Sequence, residues 1–306
     1  MAGKSLTKYI KNPQIIFIGL AKKGWLNWMS DKTFLKIAYR LIMKKKLNLK
    51  NPQTFNEKLQ WLKLYNRKPI YTTMVDKYEV KQYVAEQIGE EHIIPTYGVW
   101  DSFDEINFDM LPDQFVLKTT HDCGGVIICK VKSKFDKNNA RKKIKKSMKR
   151  NYAFAYREWP YKNVKPRILA EEYIEIPGHQ TLPVYKVFNF GGEPSIIQAI
   201  QNDKTPDETI DYFDTEWNKL ELRQNFANSN HPLTRPKQLE EMLALARTLS
   251  KGFLFLRTDF YLTGEAIYFS EYTFFSDSGL AKFEPDLWDQ KLGEWIHLPQ
   301  MRSEER

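Results

Sequence analysis

The periodicity of the apolar residues changes once along this chain, close to residue 93. Before that point, apolar positions recur three or four residues apart, which is the spacing of amphipathic helices. After it, short apolar runs alternate with turn residues, a pattern typical of strands joined by hairpins. Two more helices are expected at about 136–150 and after Pro236. Such blocks of helices and hairpins exclude a doubly wound parallel sheet and predict an α+β fold.

The first 90 residues carry clear helix signals. Ser30 is a cap-like start for a helix whose apolar residues share one face. Thr54 and Glu57 have the spacing of a capping box and predict that a second helix begins there. A third helix is expected from residue 76 to 88, where Gly89 would end it.

The strand candidates lie in the remaining two thirds of the chain. They are residues 93–100, 114–119, 126–130, 167–171, 185–190 and 195–199, followed by a hairpin over 253–261 and 266–274. The polar segment 201–232 is expected to be a loop.

The positive charge is concentrated near the N-terminus. Eleven lysines and Arg40 stand against Asp31 alone in the first fifty residues, although the whole chain carries only +9. A second basic block, 130–150, has one acid, Asp136. These blocks predict an anionic neighbour, namely phospholipid, acidic polysaccharide or nucleic acid. Few aromatic residues interrupt the second block, which argues against recognition of single-stranded nucleic acid, and no nucleic acid is expected as a partner.

Apolar residues accompany the N-terminal lysines. The run 15–21 is too short to span a membrane and lacks a cleavage site, so we expect a cytoplasmic protein without an export signal. The 15–18 stretch, Trp25 and Trp28 could instead make peripheral contact with the inner face of a membrane. Equally, this side of the helices could pack on the rest of the protein.

The common catalytic signatures are missing. The sequence has no Walker A motif, no GxGxxG, no GxSxG, no HExxH and no Asp-x-Asp. Its two cysteines, Cys123 and Cys129, exclude a disulfide scaffold or a four-cysteine zinc site. Three weaker features remain.

The first feature is a strand that ends at Lys118 and leads into a loop with Gly124 and Gly125. A lysine at a strand end supplies a fixed charge for a phosphate, and glycines let loop amides approach its oxygens. An ordinary hairpin with an exposed lysine is the alternative.

The second feature is the hairpin that carries Arg257, Asp259, Glu271 and Thr273. With a three-residue loop, Asp259 lies diagonal to Glu271 on one face, where a single Mg²⁺ could bridge them. With a two- or four-residue loop, Glu271 faces away unless a bulge intervenes. A surface ion pair between Arg257 and Glu271 is the alternative.

The third feature consists of Glu171 and Glu172 at the end of an apolar strand, with Lys186 on the next strand. Consecutive acids at this position can bind adenine and ribose, and Lys186 is another candidate for a phosphate. Solvated charges at strand ends are the alternative.

In this order along the chain, the three features resemble the ATP-grasp superfamily, and more closely its TupA-like family, named for teichuronopeptide synthesis. The resemblance covers roughly residues 28–300. It is carried by the segments 51–63, 76–81, 116–118, 185–188, 257–261 and 269–274, of which 51–63 is the most specific. It implies an ATP-grasp fold, with two α+β lobes whose antiparallel sheets clamp ATP. A basic helical region (1–75) would precede the grasp domain (76–306), with a smaller lobe at about 115–175 and a metal-binding lobe at about 176–300.

The resemblance also implies a role for each site residue. ATP and Mg²⁺ would be the cofactors. The residues that would contact ATP are Lys77, Lys118 and Lys186 at the phosphates, His121, Cys123, Gly124 and Gly125 in the loop that covers them, and Glu171, Glu172 and Ile174 at the adenine. Asp259 and Glu271, with Thr273 in place of the family's usual Asn, would hold the metal. Arg257 would stabilise the tetrahedral intermediate, and Lys186 would assist catalysis.

The activity that the resemblance implies is ligation of a carboxylate to an amine through an acyl-phosphate. The substrates would be an acidic sugar or polysaccharide precursor of the cell envelope or capsule and an amino acid or amine. Because members of the family are often labelled glycosyltransferases, that activity in polysaccharide biosynthesis is the alternative, although the usual Asp-x-Asp motif is missing.

Overall fold

The computed structural model describes residues 12–176 and 181–300. Its helical N-terminal region contains α1 (Pro13–Lys22), α2 (Asp31–Met43), α3 (Phe55–Tyr65), α4 (Ile70–Val75) and α5 (Glu79–Ile88). The Ser30 hydroxyl caps α2 by accepting the amide of Thr33, and the capping box of α3 is complete. Both helix starts are confirmed. The helix expected over 76–88 begins at Glu79, and the Asp76 carboxylate accepts the amides of Tyr78 and Glu79 at its start.

The first sheet has four antiparallel strands. They are β1 (Thr96–Trp100), β2 (Phe115–Thr119), β3 (Val126–Cys129) and β4 (Ile168–Glu171), in the order β1-β4-β2-β3. Helix α6 (Lys137–Met148) covers one face through Ala140 and Ile144, and the short α7 (Ala153–Tyr156) follows. The lysines of α6 remain on its exposed side. The sheet includes residues 96–100, which precede the expected start of the smaller lobe at about 115.

The second sheet has five antiparallel strands. They are β5 (Val184–Phe190), β6 (Glu193–Gln201), β7 (Thr209–Phe213), β8 (Phe255–Leu262) and β9 (Ile267–Thr273), in the order β7-β6-β5-β8-β9. Helix α8 (Leu239–Ser250) packs on this sheet, and α9 (Leu287–Glu294) packs on α3.

Strand β7 corrects the expectation that residues 201–232 form a loop. The sequence analysis missed this strand because Asp211 interrupts its apolar run. In the fold Asp211 is completely buried, and its carboxylate accepts the Ser229 amide and pairs with Lys219 at 2.7 Å. Tertiary partners therefore allow an acid in a buried strand.

The helical region shares one core with the second sheet. Phe55 of α3 lies among Phe188, Phe190 and Phe255, with ring centroids 4.9–6.4 Å apart. The first sheet has a separate core with α6. The N-terminal helices are therefore built into the second lobe, and α3 lies close to the strands that carry the candidate site.

Candidate functional site

A row of charged side chains crosses the second sheet. Lys186 on β5 pairs with Asp259 on β8, which pairs with Glu271 on β9. Directly paired residues point to the same face, so one ammonium group and two carboxylates lie side by side. Lys186 Nζ is 3.8 Å from Asp259 Oδ2. The carboxylates face each other directly and not on the expected diagonal.

The β8–β9 hairpin differs from its simplest expectation. Its loop has four residues, 263–266, since Leu262 pairs with Ile267. The three-residue loop is therefore wrong. A β-bulge at Ser270 adds one residue to β9 and returns Glu271 to the face of the β8 carboxylate. The longer loop with a bulge, which was the stated exception, is the arrangement that forms.

Arg257 lies beside this row and holds its central carboxylate. Its Nε and Nη2 donate to the two carboxylate oxygens of Asp259 at 2.8 and 2.9 Å. Its guanidinium also donates to the hydroxyls of Thr273 and Ser276, at 2.9 and 3.1 Å. Burial disfavours the charge, but Asp259 outweighs it and raises the pKa of Arg257. The Thr273 hydroxyl thus accepts a hydrogen bond from Arg257.

The two carboxyl groups have different electrostatic environments. Burial raises the pKa of Asp259, although Arg257 and Lys186 oppose the rise. Burial has the same tendency at Glu271, but Lys77, Lys186 and Arg257 outweigh it and lower the pKa of that carboxyl. Hard oxygen ligands of this kind suit Mg²⁺, which commonly takes one or two carboxylates and completes its shell with substrate phosphates and water. Asp259 and Glu271 therefore fit a magnesium ion in chemistry and position.

The first sheet contributes a lysine pair around a buried acid. Lys118 on β2 contacts the carboxylate of Glu171 on β4, and Lys81 of α5 pairs with the same group at 3.0 Å. Burial, with the charges of Lys81 and Lys77, lowers the pKa of Lys118 to about 7. Burial lowers the pKa of Lys81 to about 8. Glu171 thus holds these lysines, a contact that its predicted role at the adenine did not include.

Lys81 was missed by the sequence analysis. The available signal was its spacing of four residues from Lys77, which would place both ammonium groups on one side of a helical turn.

The loop between β2 and β3 is organised by an acid that was also not singled out. Asp122 accepts the amides of Gly124 and Gly125 at 3.2 and 3.1 Å and the hydroxyls of Thr119 and Ser147. Burial raises the pKa of Asp122, but these hydrogen bonds outweigh it and lower the pKa below its ordinary value. The amides of Gly124 and Gly125 therefore bind the Asp122 carboxylate, which fixes the conformation of this loop.

The other predicted loop residues have separate positions. Lys77 donates its Nζ to the carbonyl of Asp122 at 2.7 Å, which ties the loop to the N-terminus of α5. Cys123 is exposed at the tip and lines the cavity described below. His121 is 2% exposed, and burial lowers its pKa. Gly125 has no room for a side chain, because a Cβ would lie 2.5 Å from the Ser147 hydroxyl.

The predicted adenine-binding segment follows β4. The Glu172 amide donates to the carbonyl of Pro95 at 3.0 Å, and its side chain is exposed. Ile174 is half-buried. Neither residue lines the cavity, whereas Glu171 does.

A cavity of about 240 Å³ is lined by residues of both sheets. Seven of the predicted residues line it, namely Lys77, Lys118, Cys123, Glu171, Lys186, Asp259 and Glu271. Lys81, Asp203, Lys204 and Ser270 also line it, and none of them was predicted. Five lysines thus surround a space that ends at two opposed carboxylates, an arrangement that can neutralise a metal-bound polyphosphate.

A buried polar stripe on α3 holds the segment next to Arg257. Asn56, Gln60 and Lys63 lie on one side of the helix and are 0–1% exposed. Their side-chain nitrogens donate to backbone carbonyls of residues 278–281 at 2.7–3.0 Å. The stripe lies within the segment 51–63. Three polar residues at helical spacing among apolar neighbours were the signal that the sequence analysis did not use.

The held segment is strained. Asp277, Ser278 and Gly279 have φ of +46°, +57° and +60° in succession, which is rare for residues other than glycine. Such strain persists where surrounding contacts impose it, often at functional sites. The preceding residue, Ser276, accepts a hydrogen bond from Arg257. The helical region therefore positions the arginine through this turn.

A family model described as TupA-like ATPgrasp matches residues 57–297. No curated protein sequence matches the chain.

Solved structures similar to the chain include a D-alanine–D-alanine ligase from Bacillus anthracis complexed with ATP, with 16% identity and a TM-score of 0.39 over 66% of this chain. The chain spans 53% of that ligase, about half its length. A RimK domain ATP-grasp protein from Sphaerobacter thermophilus has 12% identity and a TM-score of 0.40, over 76% of this chain and 70% of that one. The D-alanine–D-alanine ligase from Helicobacter pylori has 17% identity and a TM-score of 0.38, over 80% and 69% of the two chains.

Proposed function

The chain belongs to the TupA-like ATP-grasp family, and from that premise we propose that it is an ATP- and Mg²⁺-dependent ligase that joins a carboxylate to an amine. Its two antiparallel sheets are the lobes of the ATP-grasp fold, and the short helical region precedes them. The observation that carries the proposal is the cavity where lysines of both lobes meet the opposed Asp259 and Glu271.

The nucleotide would lie between the sheets. Lys118 from the first sheet and Lys186 from the second would contact its phosphates, and Lys77 would act beside the glycine loop. Asp259 and Glu271 would hold the magnesium ion, which neutralises charge on the transferred phosphoryl group when bound. Phosphoryl transfer requires mainly such positioning and charge neutralisation, so no protein nucleophile is needed.

Two displacements complete the reaction. A substrate carboxylate oxygen attacks the γ-phosphorus, and the bond between that phosphorus and the bridging oxygen of ADP breaks. The amine nitrogen then attacks the acyl carbon, the bond to the phosphate oxygen breaks, and phosphate leaves. The buried Arg257, fixed by Asp259 and Ser276, would stabilise the oxyanion of the tetrahedral intermediate.

The proposed acid belongs to a sugar or polysaccharide precursor, and the proposed amine is an amino acid or amino compound. Support comes from the family resemblance, which the segment 51–63 carries most specifically.

Trapping of the acyl-phosphate tests the function. The protein is incubated with ATP, Mg²⁺ and hydroxylamine against a panel of uronic acids and amino acids, with ADP and hydroxamate as readouts. We expect both products with at least one acid and neither with Lys118→Ala. A panel without either product would refute the ligase. Consumption of a sugar nucleotide with a glycosidic product, detected by mass spectrometry, would establish the glycosyltransferase instead.

We also propose that α1 and the turn after it contact an anionic membrane. Trp25 and Trp28 are 64% and 79% exposed, and Ile15 and Ile16 are each more than 40% exposed beside Lys22 and Lys23. Exposed tryptophans next to lysines are typical of interfacial segments. In the described ranges, no helix has the length and apolarity needed to cross a bilayer.

A surface variant tests this contact better than a deletion, because Ile18 and Ala21 of α1 are buried in the core. The double variant Trp25→Ser/Trp28→Ser should lose co-sedimentation with anionic vesicles, while Met110→Ser, at an 81% exposed residue elsewhere, should retain it. Equal sedimentation of all three proteins would refute the membrane contact.

A further inference from the structure

A second cavity lies on the opposite side of α3 from the site. It is a groove of about 1140 Å³ between α2, the segment 47–53, α3 and the segment 296–300. Lys58, Trp61 and Tyr65 line it, whereas Asn56, Gln60 and Lys63 donate to the backbone carbonyls of residues 278–281. The two sets occupy opposite faces of the helix. The groove is therefore separate from the nucleotide cavity.

The groove has a one-sided charge. Lys32, Lys36, Lys50 and Lys58 line it, and among residues 12–176 and 181–300 no aspartate or glutamate does. Lys58 is bound to the carbonyls of the segment 293–296. Lys32, Lys36 and Lys50 are exposed, and within residues 12–176 and 181–300 none of them has an ion-pair partner. Three unneutralised ammonium groups around one concave space favour an anionic ligand.

One wall of the groove is built in advance of binding. Asn51 donates its amide to Asn48 Oδ1 at 3.1 Å, and its own Oδ1 accepts Gln53 Nε2 at 2.6 Å. Glu57 accepts the amides of Asn48 and Gln53 at 3.1 and 2.9 Å. Helix α9 approaches so closely that a Cβ on Gly293 would collide with the carbonyl of Gln53. A wall held in this way loses little entropy on binding.

The lining favours a carbohydrate among the possible anions. The side chains of Asn48, Asn51 and Gln53 contain both donors and acceptors, which match hydroxyl groups. Trp61 is only 5% exposed and offers no face on which a nucleic-acid base could stack. A membrane surface would not enter a concave groove. Carboxylates with hydroxyls on one chain, as in a uronate oligomer, satisfy both the lysines and the amides.

We propose that this groove binds a carboxylate-bearing oligosaccharide and so holds a polymeric substrate outside the catalytic cavity. Its role in the reaction rests on the proposed function, whereas the binding itself does not. The groove would retain one part of the chain while a reacting group enters the cavity, which increases the local concentration of substrate.

Calorimetric titration with tetragalacturonate tests the site in the full-length protein. The groove variant is Lys32→Gln/Lys36→Gln/Lys50→Gln. The matched control is Lys142→Gln/Lys146→Gln/Lys149→Gln, which removes the same charge from exposed positions of α6 and the residue after it. We expect the groove variant to lose about tenfold in affinity, as for three exposed ion pairs, and the control to bind like the wild type. Neutral maltotetraose should bind to none of the three proteins.

Several results would overturn the proposal: undetectable binding by the wild type, equal losses in both variants, or binding of inorganic polyphosphate or oligo-dT that is tighter than that of tetragalacturonate and is weakened in the groove variant alone. Titration with Mg²⁺ and a non-hydrolysable ATP analogue separates this proposal from the proposed function. Both variants should bind the nucleotide like the wild type. A wild-type protein that does not bind the nucleotide would refute the proposed ligase activity and would leave the groove proposal unchanged.

Discussion

Asp259 and Glu271 would share one metal ion, but their removal should have very different effects on stability. Asp259→Asn and Glu271→Gln each replace a carboxylate by an amide of nearly the same shape. Both should weaken magnesium-dependent nucleotide binding, because a neutral amide is a poor ligand for a hard cation. The structure predicts a second effect for Asp259→Asn alone, namely a loss of stability, because Asp259 is the buried partner of Arg257.

The magnitude follows from burial. Asp259 is 1% exposed and receives two hydrogen bonds from Arg257, which is itself 7% exposed. Loss of one partner of a buried ion pair costs about 3–5 kcal/mol, and an asparagine that keeps one hydrogen bond belongs at the lower end. The Glu271 side chain is 35% exposed and 3.9 Å from Arg257, so its loss should cost less than about 1 kcal/mol. Domains have stabilities of about 5–15 kcal/mol, so both variants should fold.

Urea unfolding without nucleotide measures the loss of stability, and calorimetric titration of an ATP analogue with and without Mg²⁺ measures the loss of magnesium-dependent binding. We expect a lower urea midpoint at unchanged slope for Asp259→Asn only, and loss of the magnesium-dependent gain in affinity for both variants. An Asp259→Asn protein as stable as the wild type would refute the stabilising role of the Arg257 pair. Unchanged magnesium dependence in Glu271→Gln would refute the shared metal.

Other predictions test the lysines and the strained turn. Lys118→Ala should abolish nucleotide binding or turnover while the circular dichroism spectrum remains that of the wild type; unchanged affinity and turnover would contradict its role. Because the pKa of Lys118 is about 7 and bound phosphate favours the ammonium form, nucleotide affinity should be highest below pH 7 and fall as the pH rises through that value. Titration across pH should show this fall in the wild type and a smaller one in Lys118→Arg, and equal profiles would exclude Lys118 as its cause. Gly279→Ala should destabilise the protein by about 2–5 kcal/mol, since φ is +60° and the Cβ would lie 2.5 Å from Gln60 Nε2. Gly264→Ala, at φ +89° in open space, should cost about 1–2 kcal/mol, and equal urea midpoints for the two variants would disprove close packing at the turn.

The local features of the fold could be read from the sequence. The caps at Ser30 and Thr54 depend on residues within four positions of each other, and the structure has both. The hairpin that places Asp259 opposite Glu271 depends on period-two alternation, and the sequence identified it together with its bulge as an alternative. The sequence could not decide the length of the hairpin loop, because residues 263–266 suit either turn. The packing of the whole strand decides the register.

Strand β7 shows why polar patterns mislead. Asp211 argues against a buried strand unless its partners are known, and Lys219 and Ser229 become its partners only after the chain folds back. The same reason applies to Glu171. Two acids at a strand end indicated a nucleotide contact, whereas the position of Lys81 on a preceding helix decides which cations the first acid meets.

The sequence by itself determined the α+β class, the helix starts at Ser30 and Thr54, the candidate lysines and carboxylates and, through the resemblance, the family. These properties reside in short segments, whose spacing and residue types act locally. Only the tertiary structure decided that α3 holds the turn beside Arg257, that Arg257 binds Asp259 and Thr273 together, and that a basic groove lies behind the same helix. The contact between α3 and the turn joins residues far apart in the chain, since Gln60 and Ser278 are separated by 218 positions, and it forms because burial leaves a polar group no other partner.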